Sequence, residues 1–365
     1  MSYCNKIKYR LATTKKADFS TMVDDLLAQL PQGETIVRLT FFGTPADNDE
    51  YLLRRSILRE KVNSFFGEVR PTLSYVSQPP LNTPLLLEIH SYEASIDDQI
   101  KYGTHHELPY VVVENVWGRF LFAGGFQGDV IGTSMNEQSE EVFRQIDGLL
   151  TKEDFPIHSI VRQWNYIERI TAFEGKSQHY QSFNNARAQF YKKTDWPLGY
   201  PAATGIGANL GGVLIDFDAV LLKKADDKIK PIDNKLQIAA HAYSEQVLKE
   251  ASEKKETPKF ERAKSLTISG KELIYISGTA AIRGEESLTN VGVEKQLYIT
   301  MENIAELIGA ASLSMLRVYI KNKEDYQVVE DILGNMHPDL PISYMWSDVC
   351  RDELLIEIEG IAVRD

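Results

Sequence analysis

The chain predicts an α+β fold of tandem units, each a mixed sheet with two helices on one face. Three observations carry that expectation. One order of apolar strands and amphipathic helices recurs along the chain. Landmarks keep their places in successive copies: Gly125 and Gly278 close one strand, and Asp216 and Glu357 lie in the last. The 365 residues, 43% hydrophobic, can fill several cores, and such a length suggests roughly two or three domains of about 150 residues. Repeats this long mean one supersecondary unit used several times.

The front copy, 1–108, reads as a partial, degenerate unit: a helix over 18–30, a strand over 36–43, a helix over 50–66 and a strand over 85–90. A polar stretch, 97–107, leads to Pro109 and marks the next boundary. The middle unit, 109–221, spells a strand at 120–125, a helix over 137–150, a strand over 160–170, a helix over 181–191 and a strand over 211–218. In 222–259, Lys223-Lys224, Asp226-Asp227-Lys228 and Glu253-Lys254-Lys255-Glu256 alternate in charge, as a solvated connector does. Within it the more apolar 236–248 suggests a short helix. The last unit, 260–365, repeats the order with strands over 273–278, 316–320, 341–349 and 354–360 and helices over 293–308 and 324–333. Helices rest on 3.6-residue spacing: Val293, Leu297, Met301, Ile304 and Ile308 share one face. Strands rest on period-two alternation.

Several function classes are disfavoured. A net charge of −12 argues against nucleic acid as partner, because phosphate binding needs clustered Lys and Arg. No stretch approaches the roughly 18 apolar residues of a membrane span, and the start shows no signal core, so a cytoplasmic location is expected. Cys4 and Cys350 have no metal spacing, and His105-His106-Glu107 lacks the paired histidines of a zinc helix. No cofactor or metal is expected. Gly205, Gly207 and Gly211 are spaced as GxGxxxG before a strand, whereas a dinucleotide site needs GxGxxG between strand and helix. No GxSxG elbow supports serine-hydrolase chemistry.

The closing strand is the informative segment. Alternation sets Leu354, Ile356 and Ile358 on one face and Leu355, Glu357, Glu359 and Ile361 on the other. Taken alone, two glutamates on a strand face are usually solvated. Yet Ile356-Glu357-Ile358-Glu359-Gly360-Ile361-Ala362-Val363, with Pro258-Lys259-Phe260-Glu261-Arg262-Ala263 and the 273–278 strand, resembles the RidA/YjgF family, whose chorismate-mutase-like units trimerise. Further stretches are similar to the chorismatases, RidA-like enzymes of about this length: Gln163-Trp164-Asn165-Tyr166, residues 180–187, residues 199–207 and Asp348-Val349-Cys350-Arg351.

That resemblance implies cleavage of the enolpyruvyl ether of chorismate with release of pyruvate. Glu357 occupies the position of the family's catalytic glutamate. Breaking a vinyl ether begins with protonation of its methylene carbon, so the acid must still hold its proton near neutral pH, and apolar neighbours raise a carboxyl's pKa. Asp216 and Glu88 hold the same position in the other copies and read as degenerate. For the substrate's carboxylates the resemblance points to Arg187, reaching across from the middle unit, and Arg262, since a guanidinium makes bidentate contacts. Tyr200 is a phenol able to bond a ring hydroxyl or carboxylate. Ala263 resembles members that hydrolyse chorismate to a dihydroxycyclohexadiene carboxylate, while Cys350 resembles members that aromatise the ring to 3- or 4-hydroxybenzoate. The expectation is hydroxybenzoate formation by a monomer or small homo-oligomer. Two rivals stay open: RidA-type enamine/imine deamination, whose arginine is missing from 341–347, and non-enzymatic ligand binding.

Overall fold

The alternating segments assemble into three sheets. The computed structural model describes residues 2–130, 132–242 and 256–364. After a short helix α1 (Tyr3–Lys6), the first sheet holds β1 (Ile7–Thr13), β2 (Thr35–Gly43), β3 (Thr72–Val76) and β4 (Leu85–Tyr92) in the order β1-β4-β2-β3. Helices α2 (Phe19–Leu27) and α3 (Asn48–Phe66) pack on it, each started by an aspartate, Asp18 or Asp47, that accepts a backbone N–H of the first turn.

The second sheet contains β5 (Gln99–His105), β6 (Leu108–Glu114), β7 (Gly118–Gln127), β8 (Ile160–Glu168), β11 (Ala202–Ala208) and β12 (Val213–Leu222), ordered β11-β8-β12-β7-β6-β5. Its helices are α4 (Met135–Lys152), opened by a capping box of Ser134 and Glu137, and α5 (His179–Tyr191), preceded by the small hairpin β9 (Phe173–Glu174) and β10 (Ser177–Gln178). The third sheet contains β13 (Lys228–Ile232), β14 (Ala263–Ile268), β15 (Lys271–Ala280), β18 (Ser312–Ile320), β19 (Ile342–Trp346) and β20 (Ile356–Arg364), ordered β13-β14-β15-β20-β18-β19. With it go α6 (Gly292–Ile308), α7 (Tyr326–Met336) and the hairpin β16 (Ile282–Arg283) and β17 (Glu286–Ser287).

Aligned by topology, β3-β2-β4-β1, β11-β8-β12-β7 and β19-β18-β20-β15 are the same four strands used three times. In each, the first pair is parallel and the others antiparallel. Asp216 and Glu357 therefore sit on equivalent strands, β12 and β20. The first sheet lacks the two outer strands that the others add beyond β7 and β15.

Those outer strands are where the sequence reading and the structure differ. The polar stretch at 97–107, expected to mark the boundary before Pro109, is mostly β5, an edge strand of the second sheet whose side chains are half-buried or exposed, so that sheet begins at Gln99. Within 222–259, β13 pairs with β14. Of the helix expected over 236–248, residues 240–242 form one 3-10 turn, and 243–248 lie outside the described residues.

Helices cover the outside, and the bare faces of the sheets meet in the middle. One cluster there joins Val37 and Tyr92 of the first sheet, Phe120 and Phe122 of the second and Tyr275 and Ile361 of the third. Burying each such side chain contributes about 1.5–3 kcal/mol, so the three units are welded by the same force that builds each one. Among the described residues no helix is long and apolar enough to cross a membrane.

Candidate active site

Where the three bare faces meet, each sheet contributes an arginine from its central strand: Arg38 on β2, Arg162 on β8 and Arg317 on β18, all essentially inaccessible. Each crosses to a carboxylate of another sheet. Arg38 Nη2 donates to Asp218 Oδ1 at 2.5 Å, and Arg162 Nη2 donates to Glu359 Oε2. Arg317 donates through Nη2 to Glu88 Oε1 at 2.7 Å, and its Nη1 lies 2.7 Å from Glu359 Oε1. The ring closes: first sheet to second, second to third, third to first. Trp164 packs among the guanidiniums, with Arg38, Arg162 and Arg317 at 4.8, 4.7 and 5.9 Å from its ring centroid. Such cation–π contacts contribute about 0.5–2 kcal/mol.

Equivalent carboxylates stand opposite the residue two places beyond each arginine: Glu88 faces Thr40, Asp216 faces Trp164 and Glu357 faces Tyr319. Their fates differ. Glu88 accepts two hydrogen bonds from Arg317 and lies 2.8 Å from His90 Nε2; although burial works the other way, these partners hold its carboxyl down at about 2. Asp216 accepts from Ser74 Oγ at 2.6 Å and the Gly125 N–H at 2.8 Å, with Arg38 at 3.5 Å. Glu357 belongs to none of these pairs. Three arginines already face four carboxylates, Glu88, Asp216, Asp218 and Glu359, so ionising a fifth would add an unbalanced buried charge. Burial first, and then the Glu359 carboxylate, push Glu357 up to about 8, against the pull of Arg262, Arg162 and Arg351. Two identical residues on one strand face are thus split into a paired anion and a carboxyl that keeps its proton at pH 7.

The Glu357 carboxyl lies at the seam where β11, the edge of the second sheet, meets β15 of the third. A Cβ at position 278 would come within 2.1 Å of Glu357 Oε1, so Gly278 is required by the close approach of this side chain. Thr204 stitches the seam by accepting the Gly278 N–H at 3.0 Å and donating to Glu359 Oε2. Ser277 adds a second stitch, accepting the Ala203 N–H at 2.9 Å.

Of the residues expected from the sequence, Arg262 and Cys350 bear on Glu357 electrostatically. Arg187 on α5 is 1% exposed; its Nη2 donates to Asn184 Oδ1 at 2.6 Å, its Nε has no partner, and among the described residues it makes no ion pair. A guanidinium desolvated without an anion is costly unless one arrives. Its field and that of Glu357 both reach Tyr180, whose phenol burial pushes up, followed by Cys350; Arg187 opposes and Glu357 adds to the shift. Cys350 packs between two apolar clusters, and its thiol is pushed up to about 12 by burial and then by Glu357, which leaves it unreactive. Arg262, also buried, donates Nε and Nη2 to the Ile238 carbonyl and bears on Glu357 electrostatically. Ala263 is fully buried in the cluster beneath α6, on β14 next to Ile276 of β15. Tyr200 is half-buried and stacks with Tyr191, and its turn is pinned by Lys264 Nζ to the Gly199 and Tyr200 carbonyls and by Glu261 to the Tyr200 N–H.

Sequence reasoning missed the arginine ring, Thr204 and Tyr180. A signal existed for the first: one arginine interrupts an apolar strand in each copy, at Arg38, Arg162 and Arg317.

The three sheets thus repeat one four-stranded topology around a shared buried centre, and of three equivalent carboxyls one, Glu357, stays outside the arginine pairs at a seam. Residues 95–219 match the family model described as chorismatase FkbO/Hyg5-like, N-terminal. The chain is 29% identical over 232 residues to a 3-hydroxybenzoate synthase of Streptomyces hygroscopicus, covering 58% of this chain and 65% of that protein. It is 30% identical over 222 residues to a chorismatase of Streptomyces rapamycinicus, covering 56% of this chain and 64% of that one. The matched segment therefore spans a little under two thirds of the length of these relatives. A chorismatase crystal structure superposes with a TM-score of 0.71 over 98% of both chains, at 21% identity. The chain resembles the chorismatases in sequence and shares their fold.

Proposed function

We propose that the protein cleaves the enolpyruvyl ether of chorismate, releasing pyruvate and a hydroxybenzoate, with Glu357 as the proton donor. The observation that carries this reading is the contrast among equivalent carboxylates: Glu88 and Asp216 are consumed by Arg317 and Arg38, while Glu357 is held at about 8. A carboxylic acid of that strength is protonated at neutral pH and can deliver its proton to the methylene carbon, leaving an oxocarbenium ion on the ether. Loss of a ring proton and scission of the ring–oxygen bond then give pyruvate and an aromatic acid with no added water; capture by water gives the hydrolytic product instead. The first course is favoured by Cys350, which resembles the aromatising members, and by the similarity to a 3-hydroxybenzoate synthase, against the resemblance of Ala263 to the hydrolytic members. On this reading the three sheets with their helices act as built-in subunits, only one seam of which retains the acid.

Arg187 is the proposed partner of a substrate carboxylate, since it is buried, its Nε has no hydrogen-bond partner and among the described residues it makes no ion pair. Arg187→Ala is expected to weaken binding by about 1.5–3 kcal/mol, the range for a hydrogen bond to a charged group. Steady-state kinetics reads this as a raised Michaelis constant; unchanged kinetics removes Arg187 from the site.

The acid role also dictates a pH profile. Turnover is expected to be level below about 8 and to fall tenfold per pH unit above it, as Glu357 loses its proton. Stability moves in the same sense: a carboxyl whose folded pKa lies above the ordinary 4.5 contributes fully below that value, and the contribution is lost as pH rises through about 8. A rate that keeps rising from pH 8 to 10 contradicts the assignment.

A further inference from the structure

The Gly199–Tyr200 turn joins α5 to β11 of the second sheet, but residues around β14 and β15 of the third sheet hold it. Lys264 Nζ donates to the Gly199 carbonyl at 2.7 Å and to the Tyr200 carbonyl at 2.8 Å, and the Tyr200 N–H donates to Glu261 Oε1 at 2.9 Å. The Glu261 N–H donates to the Pro201 carbonyl at 3.0 Å, and the Ala203 N–H to Ser277 Oγ at 2.9 Å. Five backbone groups of one short stretch, 199–203, are thus fixed from across the seam. Gly199 fits this clamp by its backbone: its φ is +74°, and a Cβ there would stand 2.8 Å from Glu261 Oε1.

Two features set Lys264 apart from a residue that only fills the core. It is 1% exposed and makes no ion pair among the described residues, and burial lowers its pKa to about 8 although Glu261 pulls the other way. A desolvated ammonium costs stability that an apolar side chain of the same length would not, and what it gains is two carbonyls of one turn. The other feature is what the turn presents. The Tyr200 ring is braced by Tyr191, Trp196 and His241, at centroid distances of 5.8, 5.4 and 5.6 Å, while its hydroxyl makes no hydrogen bond among the described residues. A phenol whose backbone and ring are fixed and whose hydroxyl is unbonded is preorganised to bond a ligand.

We propose that Lys264, with Glu261, is a positioning residue for the cleavage of chorismate: it sets the Gly199–Tyr200 turn so that the Tyr200 hydroxyl meets the substrate. It acts through Tyr200 and not on the reacting atoms. The assignment rests on the reading of this site as one that binds and cleaves chorismate.

Steady-state kinetics with chorismate on Lys264→Met, Tyr200→Phe and the double variant, with urea unfolding of each, tests this. Lys264→Met keeps the length of the side chain and removes its donors. It is expected to raise KM about tenfold, the loss of one hydrogen bond to a charged group, with kcat within about twofold of wild type. In the Tyr200→Phe background, which lacks the hydroxyl, the same change is expected to raise KM by less than about twofold, because both act through one contact. A lysine that served the fold alone would act equally in the two backgrounds. Gly199→Ala, which crowds Glu261 and leaves Lys264 in place, is expected to show the same rise in KM and the same dependence on Tyr200, and it decides the matter if Lys264→Met does not fold. An unchanged KM, or an equal rise with and without the Tyr200 hydroxyl, overturns the proposal and leaves the reaction standing. A wild-type protein inert towards chorismate overturns both.

Discussion

Glu357→Gln is expected to leave the fold and substrate binding intact and to lower turnover of chorismate by about 10²–10⁴, the contribution of a positioned general acid. The amide is close in shape to the protonated carboxyl, so the close approach to Gly278 survives, and no buried charge is created or lost at neutral pH, because the wild-type group is already neutral. What disappears is the proton that can be given away. Glu359→Gln is a different experiment. Glu359 is the anion that Arg162, Arg317, Thr204 and Tyr319 all address, so its replacement is expected to cost stability first and activity through the loosened seam. A Glu357→Gln protein as active as the wild type contradicts the mechanism.

Arg317→Met is expected to cost about 3–5 kcal/mol of stability, the penalty for removing one member of a buried ion pair. Arg317 closes the ring between the third sheet and the first, and Glu88, which it holds down at about 2, has no exposure to water. Without the guanidinium Glu88 must either ionise in an apolar setting or take up a proton. Such a loss is a large fraction of an ordinary folding free energy of about 5–15 kcal/mol. Adding Glu88→Gln removes the stranded charge, and the double variant is expected to be more stable than Arg317→Met alone. Urea unfolding checks both; equal midpoints for wild type and Arg317→Met show that the ring does not hold the sheets together.

Much of this was legible in the chain, and the reasons for the gaps are physical. Helices such as α6 and strands such as β20 announce themselves because burial on one face imposes a period on the sequence. Placing Glu357 needed only that alternation and the likeness of its strand to a known one. β5 stayed hidden because, as an edge strand, it offers only Ile100 and Tyr102 to the core among polar and exposed residues, too short an apolar alternation to stand out. The split between Glu357 and Glu359 was invisible for another reason: their strand positions are the same in kind, and what separates them is Arg162 and Arg317, which arrive from other sheets. Arg187 was expected to reach towards Glu357; both bear electrostatically on Tyr180, a residue whose role no spacing in the sequence marks.

The central claim is that a protonated Glu357 opens the enolpyruvyl ether of chorismate. Incubating purified protein with chorismate and resolving the products chromatographically, beside Glu357→Gln at equal concentration, tests it most directly. The account predicts pyruvate and a hydroxybenzoate in equal amounts from the wild type and neither at a comparable rate from the variant. Chorismate recovered unchanged from the wild type, or pyruvate released equally by both, contradicts it.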